Sequence, residues 1–408
     1  MKRLNSGEGA KLSTSIFGKV FSARGWMVAG AAALLSGCAV IPKGAEPSTT
    51  ASIPETVATP DPTPLPSPTA LPTDAARHRI ALLVPTTGQN AAVGQALANA
   101  TTMALIDTNA SNLRITTYDT SNGAASAARQ AIADGNRLIL GPLLSANVQA
   151  VRSAAAPVGV PAIAFSNDTS AASGDVFVMG HIPEQSIDRA VRYARSKGAR
   201  NFGALLPEGD YGQRSYSALT SAVNQHGGKL ASFERYSRSN TSVVSAAQRL
   251  RSRGGYDTVL IADGVRLAVP AADELKRGGN TRLLGTELWS GEVAVTRAPS
   301  VSGAIFAAVS DSRFRRFSES YEGRFGSKPY RIATLGYDSV LLTLRIAQSW
   351  QVGNRFPKVR LYDSGGFLGV DGAFRFSQNG VVQRALEVRE VQGNRVVSVD
   401  AAPSSFGN

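Results

Sequence analysis

From residue 80 onward, short apolar runs alternate with alanine-rich stretches whose apolar positions recur every three or four residues. A continuous apolar run is the pattern of a strand buried on both faces, whereas the three-to-four spacing places apolar side chains along one side of a helix. Residues 80–84 (IALLV) read as the first strand. A helix is predicted over 90–108, with Val93, Leu97, Ala100 and Ala104 on one face. Further strands are predicted at 113–118, 137–140, 162–165 and 176–179, with helices over 124–133 and 146–156 between them. Repeated β-α units of this kind build a mostly parallel sheet.

At His181-Ile182-Pro183 the series restarts. Helices are predicted over 184–196, 213–226 and 242–253, and strands over 201–206, 229–236 and 258–262. A helix over 265–276 and strands at 282–285 and 303–309 lead into helices over 313–325 and 331–350, and the glycine-punctuated end, 366–399, reads as β-rich. The economical interpretation is an α/β protein of two similar lobes. Ligands of open parallel sheets settle beyond the carboxyl ends of the strands, so two such lobes facing each other make a cleft, and strand-end loops are where function is expected.

The first 78 residues follow neither pattern. The apolar run 26–36 is short of the roughly 20 residues a spanning helix needs, and it ends in Leu35-Ser36-Gly37-Cys38, small residues directly before the sole cysteine of 408. Lys2, Arg3, Lys11, Lys19 and Arg24 precede it against the single acid Glu8, the charge bias of an export signal. This matches a bacterial lipoprotein signal peptide over 1–37, which implies that Cys38 is the acylated first residue of the mature chain. Residues 38–78 are rich in Pro, Thr, Ser and Ala and nearly free of large apolar side chains, so they read as a disordered tether. Extended at about 3.1 Å per residue, it reaches on the order of 120 Å.

Composition narrows the function. With Cys38 assigned to lipid, no thiol remains for a disulfide, a zinc site or a nucleophile. The formal charge is +13, and removing 1–37, with five basic residues and one acid, leaves +9. A basic exported surface favours anionic partners, among them peptidoglycan carboxylates, lipid headgroups and acidic protein faces. Nucleic acid is excluded by compartment and by motif, since the densest basic cluster, Arg313, Arg315 and Arg316, has the spacing of a solvated helix face. The three histidines, His78, His181 and His226, stand apart without metal-ligand spacing and read as solvated or hinge residues. No nucleophile elbow, phosphate loop or dinucleotide fingerprint is present. A non-enzyme with no metal and no cofactor is expected.

Five motifs in order carry a family resemblance over roughly 79–400: Ile80-Ala-Leu-Leu-Val-Pro-Thr-Thr-Gly88 followed by Gly94, Gly141-Pro-Leu-Leu-Ser145, Val160-Pro-Ala-Ile-Ala-Phe-Ser166, Asp210-Tyr-Gly212, and Ala333-Thr-Leu-Gly-Tyr-Asp-Ser-Val340. The chain resembles the type I periplasmic binding proteins, above all leucine/isoleucine/valine-binding proteins and penicillin-binding-protein activator lipoproteins. The resemblance implies two Rossmann-like lobes with parallel sheets joined by a three-strand hinge, lobe 1 being 79–181 plus 310–354 and lobe 2 being 182–309 plus 355–400, with a tail at 401–408. Carried over by position, Ser145, Ser166, Asp168 and Ser170 line one side of the cleft, and Tyr211, Asp263 and Glu287 face them. A zwitterionic ligand needs hydroxyl donors for its carboxylate and an acid for its ammonium, which Ser145, Ser170 and Glu287 supply. The same residues have plain structural roles open to them: Ser145 and Asp263 as helix caps, Tyr211 as turn packing, Glu287 as surface charge.

Two functions follow from the resemblance. One is a lipoprotein that reaches from the outer membrane, where an alanine after Cys38 directs it if the usual sorting rule applies, to a bifunctional peptidoglycan synthase (a penicillin-binding protein) and regulates it. The alternative is a solute receptor that delivers an amino acid or related small molecule to an ABC permease.

Overall fold

Strand β1 (His78–Val84) shows why the apolar runs are continuous: Ile80, Leu82 and Val84 enter one core cluster, while Ala81 and Leu83 enter the cluster on the sheet's opposite face. The computed structural model describes residues 76–277, 279–404 and 406. The predicted leader, Cys38 and nearly all of the tether therefore lie outside the described residues, as do most of the last four positions.

After β1 come α1 (Ala91–Asp107), β2 (Leu113–Asp119), α2 (Ala124–Ala133), β3 (Leu138–Leu140), α3 (Ser145–Ala155), β4 (Ala162–Ala164) and β5 (Val176–Val178). The five strands form a parallel sheet in the order β2-β1-β3-β4-β5. The series then repeats with α4 (Pro183–Ser196), β6 (Asn201–Pro207), α5 (Asp210–Gln225), β7 (Lys229–Tyr236), α6 (Asn240–Arg253), β8 (Thr258–Ile261), α7 (Val265–Lys276), β9 (Arg282–Leu284) and β10 (Ile305–Ala308). Its strands take the equivalent order β7-β6-β8-β9-β10, and the end of the chain adds β14 (Glu387–Gln392) and β15 (Arg395–Asp400) antiparallel at the β10 edge. Helices cover both faces of each sheet, the doubly wound arrangement.

The repeat extends to a detail of packing. A Cβ on Gly94 in the first turn of α1 would stand 1.7 Å from the carbonyl oxygen of Pro85, and one on Gly212 in α5 would stand 1.6 Å from that of Pro207. In both lobes the helix after the first strand rests on the backbone that precedes it, an approach open only to glycine. This is the physical content of Gly94 and of the Asp-Tyr-Gly motif.

Two further helices, α8 (Ser312–Phe325) and α9 (Ala333–Ala347), return to the first lobe, where Phe317, Tyr321 and Ala333 close on Ala96, Ala100 and Met103 of α1. A small antiparallel sheet follows: β11 (Phe367–Gly369), β12 (Gly372–Phe376) and β13 (Val382–Arg384). Residues 355–384, expected in lobe 2, bury their apolar side chains with lobe 1. Phe356, Leu361, Phe367, Phe374, Phe376 and Val382 share a core cluster with β1, Phe376 meets Phe177 of β5 at 5.4 Å, and Val381 bridges to Val178. The third crossing between lobes thus falls at 385–386, between β13 and β14, rather than near 353–358. The other two crossings run between β5 and α4 and between β10 and α8.

His78 also departs from expectation. It is buried at the start of β1 with its ring stacked 4.0 Å from that of Trp350, and burial lowers its pKa. Among the described residues no helix is long and apolar enough to cross a membrane.

Candidate functional site

The cleft between the lobes has a volume of about 470 Å³. Its first-lobe wall comes from the loops after β3 and β4, with Ser145, Ser166 and Asn167, and from the turn Tyr330–Arg331–Ile332 that leads into α9. Its second-lobe wall is the turn after β9, with Glu287, Leu288 and Ser290. Leu144, Leu288 and Tyr330 stand exposed on its walls, so the cleft offers an apolar rim around a polar floor.

Glu287 is the most perturbed of these groups. It opens the short turn Glu287–Trp289, which is pinned by Trp289: the indole is buried and its Nε1 donates to the Asp263 carbonyl at 2.9 Å. The Tyr211 hydroxyl, from the first turn of α5, lies 3.0 Å from both Glu287 Oε1 and Thr286 Oγ1. Glu287 Oε2 is sealed from solvent and has no hydrogen-bond partner. Burial pushes the Glu287 carboxyl up to about 7, against the opposing pull of the Tyr211 hydrogen bond and the Arg214 charge. Burial and the neighbouring Glu287 likewise raise the Tyr211 phenol well above its ordinary value. A carboxyl so placed accepts a cation or gives up a proton near neutrality.

The predicted residues divide. Ser145, Ser166 and Glu287 line the cleft, and Tyr211 supports Glu287 from behind. Ser145 is the first residue of α3 and Leu144 occupies the cap position before it, so the cap reading fails for Ser145. The buried Ser166 hydroxyl accepts from the Asp168 amide at 3.0 Å. Asp168 and Ser170 satisfy each other: Asp168 Oδ1 accepts from the Ser170 amide at 3.0 Å and from its hydroxyl at 2.7 Å, capping a single 3₁₀ turn. Asp263 is a buried joint that accepts from Tyr236, Arg238 and the Gly264 amide. None of these last three lines the cleft. Cys38 lies outside the described residues.

The structure adds residues that the sequence did not mark. Arg331 lines the cleft from a side chain that is nearly buried; its Nη1 donates to Asp371 at 2.6 Å and lies 3.1 Å from the Thr334 hydroxyl, while its guanidinium lies 4.3 Å from the Phe314 ring centre. Asp371 is fully buried and also receives His181 Nε2 at 2.7 Å and the Thr334 hydroxyl at 3.0 Å. Burial alone would raise this carboxyl, but Arg331, His181 and Arg384 hold it well below the usual carboxylate range. Its buried neighbour Asp338 shifts upward, through burial and the Asp371 charge. Beside the cleft, Arg214 of α5 forms a two-bonded pair with Glu184 and donates from Nη2 to the Asn167 carbonyl of the opposite lobe at 2.6 Å. Among the described residues no group of three His, Cys, Asp or Glu could hold a metal ion.

Two doubly wound lobes hinged by three crossings around a polar cleft make the type I periplasmic binding fold. The family model described as periplasmic binding protein matches residues 78–395, and the chain belongs to that family. Solved structures share the fold. A branched-chain amino-acid ABC transporter protein of Rhodospirillum rubrum, so described provisionally, matches with a TM-score of 0.70 at 19% identity, covering 79% of this chain and 100% of its own. The branched-chain amino-acid transporter substrate-binding protein of Streptococcus pneumoniae, solved with isoleucine, matches with a TM-score of 0.62 at 18% identity, over 80% of this chain and 100% of its own. An uncharacterized protein of Rickettsia prowazekii is 28% identical over 173 residues, so the match spans 42% of this chain and less than half, 46%, of that relative. Family membership implies work in the periplasm.

Proposed function

We propose that this protein is a solute receptor whose interlobe cleft captures a small polar ligand and, closed around it, presents it to an ABC permease. The observation that carries this is Glu287, a carboxyl whose Oε2 is buried at the cleft without a partner. A buried acceptor left unsatisfied costs about 1–3 kcal/mol, and a ligand donor removes that cost. Family membership and neighbours that are solute-binding proteins support the same reading. It ranks ahead of regulation of a peptidoglycan synthase, for which the long tether and the basic composition are the remaining arguments. Cys38 is retained as the lipid anchor in either case.

The test is a thermal-shift screen of the purified protein against the proteinogenic amino acids and small carboxylates, followed by calorimetry on any hit. Micromolar binding with a raised melting temperature is expected. If no small molecule stabilises the protein while a bifunctional peptidoglycan synthase is captured by it, the ranking reverses.

A further inference from the structure

The receptor reading leaves open how the cleft holds the negative end of its ligand, and the hydroxyls foreseen for that task do not suffice. Of the three serines, Ser170 gives its hydroxyl proton to Asp168, and Ser166, whose oxygen already accepts from the Asp168 amide, and Ser145 offer one neutral donor each. We infer that Arg331 is the carboxylate anchor of the cleft, set apart from Glu287 so that the ligand bridges a fixed cation on the first-lobe side and a fixed acid on the second.

Three observations carry it. Arg331 lines the same cleft as Glu287, and its Nη2 is buried with no hydrogen-bond partner, the counterpart of the orphaned Glu287 Oε2. The rest of the guanidinium is immobilised: Nη1 by Asp371 and Thr334, Nε at 3.4 Å from the Ser290 hydroxyl, and one face against Phe314. An arginine with one edge clamped and the other nitrogen free is a preorganised receptor for a carboxylate oxygen. The clamp also matters for closure. Asp371, which holds Arg331, receives His181 from the first crossing between lobes and stands 3.8 Å from Arg384 at the third. A carboxylate drawn to Arg331 therefore competes with Asp371 for a charge on which the hinge depends.

The experiment uses two probe sets: L-leucine, 4-methylpentanoate and 3-methylbutylamine, and L-phenylalanine, 3-phenylpropanoate and 2-phenylethylamine. Each set pairs an amino acid with the same skeleton lacking the ammonium or lacking the carboxylate. Calorimetry compares the wild type with Arg331→Lys, which keeps a cation for Asp371 but offers no second planar nitrogen, and with Arg331→Met. The Lys variant is expected to melt like the wild type, to bind the amino acid and the carboxylate about fifty-fold more weakly, and to bind the amine unchanged. Glu287→Gln is expected to show the converse, losing the amine and keeping the carboxylate. Should Arg331→Lys bind carboxylates as the wild type does, or lose the amine equally, the anchor is wrong while the receptor reading stands. If the wild type binds none of the six, the anchor falls for these skeletons, and the receptor reading stands or falls separately on the wider thermal-shift screen.

Discussion

The cost of keeping an acid in the cleft floor is measurable without knowing the ligand. Glu287 titrates near 7 in the folded protein against an ordinary value of 4.5, with burial as the leading cause. A raised carboxyl pKa means that the folded state holds the proton more tightly than the unfolded chain does, so stability declines as pH rises through the interval between the two values and is lowest above 7. At about 1.36 kcal/mol per unit the full cost is about 3 kcal/mol, most of it appearing between pH 5 and pH 8. Glutamine at this position mimics the protonated acid, keeping an acceptor for the Tyr211 hydroxyl and placing a donor where Oε2 stands. Glu287→Gln is therefore neutral at pH 5 and stabilising at pH 8.

With an unfolding entropy of about 2.1 cal/mol/K per residue, the difference corresponds to a melting-temperature gap of roughly 4 °C opening between pH 5 and pH 8. Calorimetric melts of both proteins across that range read it directly. The comparison cancels other titrating groups, Asp338 and His181 included, because they are common to both proteins. A gap that stays constant with pH would refute the reasoning, since it would mean that the Glu287 carboxylate is solvated or already paired in the empty protein.

Other outcomes follow from the same geometry. Binding of an ammonium ligand requires ionised Glu287, so its dissociation constant is expected to rise about tenfold per pH unit below 7, with uptake of the ligand releasing a proton that calorimetry in buffers of different ionisation enthalpy detects. Gly212→Ala, which in an ordinary helix would gain up to about 1 kcal/mol, is expected here to cost about 3 kcal/mol or more in denaturant melts, because its Cβ would meet the Pro207 carbonyl. Arg214→Ala removes the bond from α5 to the Asn167 carbonyl, and small-angle scattering of the ligand-free variant is expected to show a larger radius of gyration than the wild type; an unchanged radius would remove Arg214 as a latch. Cys38→Ser is expected to abolish labelling of the protein by radioactive palmitate in cells.

The elements of the fold were legible because each carries its own pattern. The helix predicted over 90–108 is α1, Ala91–Asp107, and the apolar runs became strands buried on both faces. Misassigned was the partner of the last strands. Phe374 and Phe376 of β12 alternate as on a strand with one buried face, and Val388 and Val391 of β14 bury on opposite faces of theirs, but neither pattern says against which sheet the strand lies, and its allegiance is fixed only by tertiary neighbours such as Phe177. At the site, the place of Glu287 on the cleft wall was legible by resemblance, while Asp168 and Ser170 were acid and hydroxyl in a polar loop, a composition that a local cap and a ligand shell share.

Arg331 escaped for a different reason. An arginine two residues before a helix reads as solvated, and its buried partner Asp371 lies 40 residues later at the edge of a strand, a separation that no local pattern spans. The same pairing explains how cleft and hinge are joined. Asp371 gathers side chains from the turn before α9 and from two of the three crossings, and at the remaining crossing Arg389 of β14 pairs with Asp311 and bonds the Val309 carbonyl. Each crossing is thus held by a buried arginine or histidine rather than by apolar packing alone. Breaking such a pair leaves a charge uncompensated in the interior and costs about 3–5 kcal/mol, so lobe motion that preserves these pairs is favoured over motion that ruptures them. Bending is then confined to the backbone between them, with Arg214 and its Asn167 contact as the part that must release when the cleft opens.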